Sequence, residues 1–435
     1  MKCKSMMKKA AALALALMMC VTMLPTAAFA ASAESAPWDG SIAESIPVNG
    51  DTYTISTPAQ LAKLALDVNG GNDYNGKTVK LVADINLGGK EFTPIGSWAN
   101  PFTGIFDGVK SATENYVISN VKISGDDTYF RAGLFGCVEN GTVQNLTISN
   151  IEVTNSSSKN SASATDDANE SATGAAVATL RSGHITNVHV IGTSTVSGHL
   201  RTGGIVGDIR GTESYVTNCV NEATVESDNL YTGGVVGAAH DVDRRGNKSG
   251  SVISGCTNKG KVTGTTNVGG IVGYADRATV ENCTNEKSGV VTGRGNYGTG
   301  GIMGANVYNY SSLASIITSY YPTISSKIEN CHNLGDVIGG RAGGILGAYI
   351  AAPGKEQPRS LLNCTIKDCS NTGTITGNAG KCGAIFGYQI SYAKGDGADD
   401  VKNMGVIISG CTFQCDVNGV PATVATPSEI SIAIS

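Results

Sequence analysis

The stretch GGIVGYADRATVENCTN (residues 269–285) combines two features that recur along the chain: an aliphatic pair between glycines, and an Asn-Cys-x-Asn cluster shortly after it. The related glycine clusters are GLFG (133–136), GIVG (204–207), GVVG (234–237), GIVG (270–273), GIMG (301–304) and GILG (344–347), with a weaker AIFG (384–387) and a degenerate GAAV (174–177). Self-similarity of this kind indicates one supersecondary unit used many times.

Each period also contains a cysteine signature and a third strand-like run. The signatures are VTNCVN (216–221), ISGCTN (253–258), VENCTN (280–285), IENCHN (328–333) and IKDCSN (366–371), and the third runs include GKVTG (260–264) and GTITG (373–377). Three short strands per period, with no helical periodicity between them, predict an all-β fold. We expect a right-handed parallel β-helix, a solenoid of about ten coils.

In such a solenoid, equivalent residues of successive coils form columns. Six cysteines share one position, and an asparagine follows five of them two residues later on the same face of the strand: Cys219, Cys256, Cys283, Cys331, Cys369 and Cys411, with Asn221, Asn258, Asn285, Asn333 and Asn371. We expect the cysteines to be reduced, buried packing residues and the asparagines to form an amide ladder. Cys364, Cys382 and Cys415 lie outside the column and are the better candidates for disulfides. No zinc-site spacing appears, so the sequence predicts no metal and no cofactor.

The first residues predict an exported protein. A basic start, an apolar run and the small-residue site AAFA at 27–30 are typical of a secretory signal peptide over residues 1–30. Its removal takes away four lysines and moves the formal charge from −5 to −9. An acidic protein without basic runs argues against nucleic acid as a partner, and the lack of a second apolar segment argues against membrane insertion. We therefore expect an extracellular location, either secreted or at the cell surface.

The remaining chain divides into a linker (31–50), an N-terminal cap with the first coils (51–110), the repeat β-helix (111–420) and a C-terminal strand or tail (421–435). Ser56 or Thr57 can cap a helix that has Pro58 in its first turn. Its apolar face would cover the open end of the core, as terminal units of solenoids must: Leu61, Leu64, Ala65 and Val68. The final SEISIAIS predicts an exposed strand edge at which rods could associate end to end.

The series of G-[LIV]-[FVIM]-G clusters resembles the GLUG motif of exported bacterial repeat proteins. ISTPAQLAKLALDVN (55–69) and FTPIGSWANPFTGIFDG (92–108) are similar to the lead-in found before such repeats. The resemblance covers most of residues 50–415 and implies a surface-exposed β-helix of the kind found in adhesin-like proteins. GLUG regions also occur in immunoglobulin A–cleaving metallopeptidases, whose zinc site is of HExxH type. No histidine of this chain begins or ends an HExxH, so peptidase activity is not expected.

Two further patterns bear on catalysis. GNDYNGKT (71–78) fits the phosphate-loop spacing, but a predicted helix precedes it and a strand follows, which is the reverse of the order that loop needs. Parallel β-helices also include polysaccharide lyases and hydrolases that use acidic residues in a groove. The paired acids Asp126–Asp127, Asp166–Asp167 and Asp399–Asp400 would have to meet there. They lie in separate polar loops, so a polysaccharide-degrading enzyme is the alternative reading.

The favoured function is non-catalytic adhesion or ligand binding. Long inserts follow the glycine clusters and should leave the rod along one edge, where solenoids often bind partners. Nine tyrosines lie in these inserts and in YADRA (274–278), and tyrosine suits contacts with a host glycan or an extracellular protein: Tyr215, Tyr274, Tyr308, Tyr310, Tyr320, Tyr321, Tyr349, Tyr388 and Tyr392. We expect them to form a binding edge.

Overall fold

The computed structural model describes residues 36–159, 169–211, 213–240, 250–276, 278–305, 326–347, 364–378, 381–387 and 406–424. The chain separates by internal contacts into two units, Met1–Ala36 and Pro37–Ser435. All the described residues from Pro37 onward belong to the second unit, which contains every strand and the helix reported below.

Successive coils place parallel strands in register, and five stacks of strands result. Stack A contains eleven strands: Thr52–Ile55, Thr78–Leu81, Ile105–Asp107, Thr142–Ser149, His184–Ile191, Tyr215–Thr217, Val252–Ser254, Thr279–Glu281, Ser326–Glu329, Cys364–Lys367 and Val406–Ser409. Stack B, which carries the Cys-x-Asn positions, contains Ile85–Asn86, Tyr116–Ser119, the second halves of Thr142–Ser149 and His184–Ile191, Val220–Asn221, Thr257–Asn258, Thr284–Asn285, His332–Asn333, Ser370–Asn371 and Thr412–Val417.

Stacks C, D and E complete each coil. Stack C contains Lys122–Gly125, Glu152–Asn155, Thr195–Gly203, Thr224–Gly233, Val262–Gly264, Val291–Gly293, Val337–Gly339 and Ile375–Gly377. Stack D contains Arg131–Ala132, Ala172–Gly174, the ends of Thr195–Gly203 and Thr224–Gly233, Thr266–Gly269, Gly298–Gly300 and Arg341–Gly343. Stack E, the glycine-cluster strands, contains Phe135–Glu139, Val177–Arg181, Val206–Arg210, Val236–His240, Val272–Asp276, Met303–Ala305, Leu346–Gly347 and Phe386–Gly387.

This arrangement confirms the predicted parallel β-helix, and the eleven strands of stack A agree with the expected coil number. Right-handed winding stays a prediction. Two strands are antiparallel to their neighbours: Val48–Asn49, which pairs with the first strand of stack A, and Val420–Val424, which folds back on Thr412–Val417. The stacks enclose one main hydrophobic cluster that extends from Ile46 to Val417.

The predicted N-terminal helix is present as Pro58–Asn69. Thr57 is its N-cap, and the side chains of Thr57 and Gln60 form a capping box. The helix lies between the first two strands of stack A, whereas the sequence pattern placed it before the first coil. Its buried face joins the main core, as its periodicity predicted: Leu61, Ala62, Leu64, Ala65 and Val68.

The corner between stacks A and B requires a left-handed residue. Positive φ angles, between 50° and 64°, recur at the residue before the Cys-x-Asn column: Asn145, Asn187, Asn218, Gly255, Asn282, Asn330, Asp368 and Gly410. Glycine, asparagine and aspartate are the residues that tolerate this conformation most readily. This requirement explains the N, G or D that stands before each cysteine of the repeat.

The six column cysteines are buried free thiols, as predicted, and the ten described cysteines are all free. Each of the six thiols lies 3.4–3.8 Å from a backbone carbonyl of the preceding coil and 3.2–3.4 Å from the carbonyl two residues earlier in its own coil. Leu146 and Val188 occupy the same column in earlier coils. The cysteines therefore act as small apolar side chains that also donate weak hydrogen bonds.

The asparagine column forms the predicted amide ladder. Each Nδ2 donates to the Oδ1 of the next coil, at 2.9 Å (Asn221 to Asn258), 2.8 Å (to Asn285), 2.8 Å (to Asn333) and 2.7 Å (to Asn371). All five side chains are fully buried. The same Nδ2 atoms also donate to backbone carbonyls within their own coils, so the buried amides have the partners that burial demands.

In five of the motifs, the first glycine lies between an asparagine of the same coil and the backbone carbonyl of the next coil's motif. A Cβ on this glycine would approach the side-chain amide to less than 3.0 Å in all five coils: Gly204 with Asn221, Gly234 with Asn258, Gly270 with Asn285, Gly301 with Asn333 and Gly344 with Asn371. The two signatures of the repeat are therefore two sides of one contact.

The degenerate motifs agree with this coupling. Ala175 occupies the glycine position of its coil, and that coil has Val190 in register with Asn221. Ala384 occupies it in the last cluster, where Phe413 is in register with Asn371. A side chain at the first motif position thus occurs where the amide is absent.

We predict that Gly270→Ala and Asn285→Val are strongly coupled. Each change alone destabilises the fold, by about 1–3 kcal/mol for the asparagine because its ladder neighbours lose a partner. The double variant should lose at least about 1 kcal/mol less than the sum, because the alanine methyl group already displaces the Asn285 amide from its ladder bonds, whereas its contact with the Gly301 carbonyl costs the same in both backgrounds. Chemical denaturation of the three variants measures this coupling.

The matched control combines Gly270→Ala with Asn371→Val, which removes a ladder amide that does not contact Gly270. These two changes should be additive. Equal coupling in both pairs would contradict the proposed contact.

A second prediction concerns the thiols. Burial raises the pKa of Cys364 to about 12 and of Cys415 to about 11, and holds the pKa of Cys219 well above its usual value. Because the thiolate is the reactive form and the column cysteines are buried away from the reagent, the native protein should react slowly with Ellman's reagent. Cys415, the half-buried one, should react first, and Cys415→Ser should remove that phase. Rapid native labelling of several thiols would contradict the buried column.

Candidate functional site

The predicted tyrosine edge lies mostly outside the described residues, which include two of its nine members. Tyr215 is half-buried and stacks on His184, with 4.8 Å between ring centroids. Tyr274 is 1% exposed and stacks on Tyr231, also at 4.8 Å. The other seven members fall outside the described ranges: Tyr308, Tyr310, Tyr320, Tyr321, Tyr349, Tyr388 and Tyr392.

The position of Tyr274 corrects one member of the predicted edge. The ring of Tyr274 packs in a small apolar cluster with Tyr231, at the stack D end of its strand, and with Ala238 and Ala305, which hold the same register position as Tyr274 in stack E. A buried ring stabilises the coil and is not available to a ligand. The stack E strands, which carry the glycine clusters, are therefore covered by side chains on both faces. The sequence pattern had predicted one hydrophobic core and no second layer outside it.

A groove at the N-terminal end of the second unit is a concave site formed entirely by described residues. It has a volume of about 560 Å³, within the range of ordinary ligand sites. Four segments form its walls: residues 38–42, the exposed side of the helix, residues 92–99 and residues 128–131. Both tryptophans of the chain, Trp38 and Trp98, lie in it.

Side-chain and backbone contacts position these walls. Trp38 packs edge-on against the buried Phe92 at 5.9 Å, and its Nε1 donates to the Ser41 carbonyl at 2.8 Å. At the helix end, Asn69 Nδ2 donates to the Pro94 carbonyl at 3.0 Å. Gly96 turns the 92–99 loop with φ 80°, where a Cβ would also meet the Cys137 carbonyl. The groove is therefore tied to the first coils.

The rim of the groove is apolar and exposed. Ile42, Leu66 and Tyr129 line it and are 52%, 54% and 60% exposed. These are three of the most exposed large apolar side chains among the described residues. A clustered apolar rim around a concave site is typical of a surface that binds something.

Asp126 organises the outer loop of the groove. Its Oδ1 accepts hydrogen bonds from the backbone amides of Thr128 and Tyr129, at 2.6 and 2.8 Å. These bonds hold the pKa of Asp126 below its usual value. Asp127 instead accepts from the Ser157 hydroxyl at 2.8 Å. This predicted acid pair therefore has a structural role in the loop, and the pairs at 166–167 and 399–400 lie outside the described residues.

Cationic side chains pack on the groove aromatics. The Arg131 guanidinium lies 4.6 Å from the centre of the Trp98 ring and 4.9 Å from that of Phe130, and Arg181 lies 4.1 Å from Trp98. Arg181 also pairs with Glu139 at 2.8 Å. Such cation–π contacts fix the orientation of Trp98.

A buried charged network lies behind Arg131. Arg201, which is 1% exposed, pairs with Glu170 at 3.2 Å, and Arg210 contacts both Glu170 and Asp208, the latter at 2.6 Å. Arg131 Nε donates to Thr179 at 3.1 Å. Burial lowers the pKa of Arg131 to about 10, partly offset by the carboxylates of Asp208 and Glu170, so it stays protonated at neutral pH.

We predict that Glu170→Gln destabilises the protein by about 3 kcal/mol or more, because two buried guanidinium groups then lose a shared carboxylate. The control is Glu226→Gln, which breaks an ion pair with Arg294 whose partners are about half exposed. That change should cost less than about 1 kcal/mol. Urea denaturation measures the free energy of unfolding of both variants. Similar losses would show that the buried network contributes no more to stability than an exposed ion pair.

The network also bears on the enzyme alternative. Glu170 and Asp208 are carboxylates that converge beside arginines, but they are almost fully buried and do not line the groove. Among the described residues, no three metal-binding side chains come together in a way that would hold an ion.

Within the described ranges, no helix has the length and apolar character to cross a membrane. The 71–78 loop follows the helix and precedes a strand, and its Lys77 pairs with Asp51 at 2.5 Å.

A comparison with models of protein families agrees with the glycine and cysteine repeat found in the sequence. The family model "The GLUG motif" matches residues 264–286, which contain a glycine cluster and the Cys-x-Asn signature that follows it. The chain carries the GLUG motif. The resemblance noted in the sequence is therefore confirmed, and the coupled glycine and asparagine are a structural basis for this GLUG motif.

A solved structure from Bacteroides ovatus, provisionally named an immunoglobulin A1 protease, is similar to this GLUG-motif chain. The likeness covers 87% of this chain and 81% of that chain, with 16% sequence identity and a TM-score of 0.42. A search of curated protein sequences finds no match.

Sequence reasoning missed the groove, although one signal was available. The chain has only two tryptophans. Trp38 falls in the region that we predicted as a linker, and Trp98 falls in a lead-in segment; nothing in their spacing predicts that the two segments meet. The contact depends on where the helix and the 92–99 loop pack, which is a tertiary property.

Proposed function

We propose that this GLUG-motif β-helix is an extracellular, non-catalytic binding protein, and that the N-terminal aromatic groove is its ligand site. The observation that carries the proposal is the groove itself: both tryptophans, the buried Phe92 and an exposed rim of Ile42, Leu66 and Tyr129 surround one cavity. Aromatic and aliphatic anchors around a pocket are what binding sites use for affinity.

Rigidity supports this proposal. The capping box fixes the helix, the Asn69–Pro94 bond fixes the adjacent loop, and Asp126 fixes the backbone of Tyr129. A site that is already ordered loses less conformational entropy when its ligand binds. The expected partners are a host glycan or an extracellular protein, and the tyrosine inserts remain a second candidate contact surface.

The non-catalytic part of the proposal rests on the chemistry of the groove. Arg131 is the charged residue among the described lining residues, and no carboxylate lines the cavity beside it. Acid–base cleavage of a glycan needs two carboxyl groups on either side of the bond that breaks. The groove therefore favours binding over polysaccharide cleavage.

A binding comparison with Tyr129→Ala and Leu66→Ser tests the proposal. The purified protein is applied to arrays of glycans and of extracellular proteins, and its hits are measured again with each variant. Because both side chains are more than half exposed, the variants should fold normally, and loss of rim contacts should weaken binding by about tenfold.

Ile407→Ser is the matched control, since Ile407 is 61% exposed and does not line the groove. It should leave binding unchanged. Hits that all three variants retain would place the site elsewhere. Cleavage of a bound glycan would favour the polysaccharide-degrading alternative.

A further inference from the structure

The last strand of stack A, Val406–Ser409, has an outer edge that no described strand occupies. It pairs with Cys364–Lys367 of the preceding coil and has no second partner among the described residues. The rest of the same coil is covered, because Val420–Val424 turns back and pairs antiparallel with Thr412–Val417. That covering strand carries Pro421, a residue that hinders further pairing at a sheet edge. Val406–Ser409 contains neither a proline nor a charged residue.

The hydrophobic core is also incompletely covered at this edge. Ile408 continues a column in which Ile328 and Ile366 are fully buried. Ile408 itself is only partly buried, although it packs against the same core. Within the described ranges, this edge therefore combines a strand without an outer partner and an open end of the core, and these features favour the addition of another strand.

Earlier coils show which backbone groups point toward the following coil. Ala278 uses its carbonyl, which accepts from the Lys327 amide at 3.0 Å, and Asp368 uses its amide, which donates to the Ser409 carbonyl at 3.0 Å. The residue midway between these two positions uses both groups, since alternate residues of a strand turn their backbone groups to the same side. Each coil therefore offers the next coil an acceptor, then a donor with an acceptor, then a donor.

The same groups of the last coil are complementary to their own copy. By register they are the carbonyl of Val406, both backbone groups of Ile408 and the amide of Gly410. In an antiparallel arrangement with a two-fold axis at Ile408, the amide and carbonyl of Ile408 meet those of the partner's Ile408. The amide of Gly410 then meets the carbonyl of the partner's Val406, and the reverse bond forms by symmetry.

We infer that the protein self-associates end to end, with Val406–Ser409 paired antiparallel to the same strand of a second copy. The pairing places two Ile408 side chains opposite each other over the open end of the core. The strand carries no charge that would repel its copy. This interface lies at the opposite end of the stack from the groove, so a dimer carries two grooves. The inference goes beyond the proposed function and does not depend on it.

Oxidative cross-linking tests the geometry of this pairing. Directly opposite residues of a hydrogen-bonded antiparallel pair have Cα atoms about 5.5 Å apart, a distance that a disulfide spans. Ile408→Cys, in a Cys415→Ser background that removes the half-buried native thiol, should therefore form a covalent dimer on mild oxidation. Val420→Cys in the same background is the matched control, because Val420 is 54% exposed and lies at the far end of the hairpin from Gly410. It should stay monomeric on a non-reducing gel.

Sedimentation velocity of the purified protein measures the association without a cross-link. The protein should show a concentration-dependent equilibrium between monomer and dimer. Ile408→Lys should weaken the dimer by at least about tenfold, because like charges directly opposite on paired strands repel. Val420→Lys should leave the dissociation constant unchanged. Circular dichroism and Tm show whether the lysine variants are folded, and the cross-link at Ile408→Cys remains a test if Ile408→Lys is not.

A monomer at every concentration, with no cross-link in Ile408→Cys, would overturn the inference. A dimer that Ile408→Lys leaves intact would also overturn it, since another surface would then hold the two copies together. A variant without residues 425–435 separates the alternative occupants of the edge. If only the truncated chain forms a dimer, the last residues of the chain compete for the edge and the second copy is the wrong occupant.

Discussion

The in-register stacking of parallel strands is the constraint on which the rest of the structure depends. Because each coil lies directly on the previous one, a residue that suits one position must suit its neighbours above and below. The glycine–asparagine contact shows this most clearly. A buried amide column needs unbroken hydrogen bonding, and the backbone opposite must come close enough that no Cβ fits between. The repeated motif follows from that single packing requirement.

The same stacking separates structure from binding. Within the described coils, the ladder asparagines donate to one another and to backbone carbonyls, and aliphatic residues and thiols fill the main core around them. The groove lies at the end of the stack, where the repeat gives way to a helix and irregular loops. There the chain is released from the register constraint and can place two tryptophans and an arginine without repeating them in every coil.

The columns were predictable from the sequence because periodicity reports residues that share an environment. Cys283 and Asn285 recur with their motif, so their burial and stacking followed from spacing alone. Asn282 belongs to the same motif, but only the backbone structure shows why the residue is required there: it adopts the left-handed conformation at the corner of the coil. The groove was not predictable from the sequence, since Trp38 and Trp98 lie outside the repeated motifs. Only the packing of the folded chain brings the two side chains together. Tyr274 was misplaced for a related reason: its strand is covered on both faces, and one sequence cannot show that a second layer lies outside the first core.

The direction of the amide ladder has a consequence for how such a chain can grow. Every ladder bond runs the same way, from the Nδ2 of one coil to the Oδ1 of the next, so a new coil placed at any point in the ladder finds the same donor below and the same acceptor above. The unit of change is therefore the whole coil, with its glycine and its asparagine inherited together. Duplication of a complete coil lengthens the stack without creating a mismatch, whereas a gain or loss of one residue inside a strand moves the later side chains of that strand to the wrong face. A gene for this fold would therefore accept a whole added coil, or residues added between strands, and reject a shift within a strand.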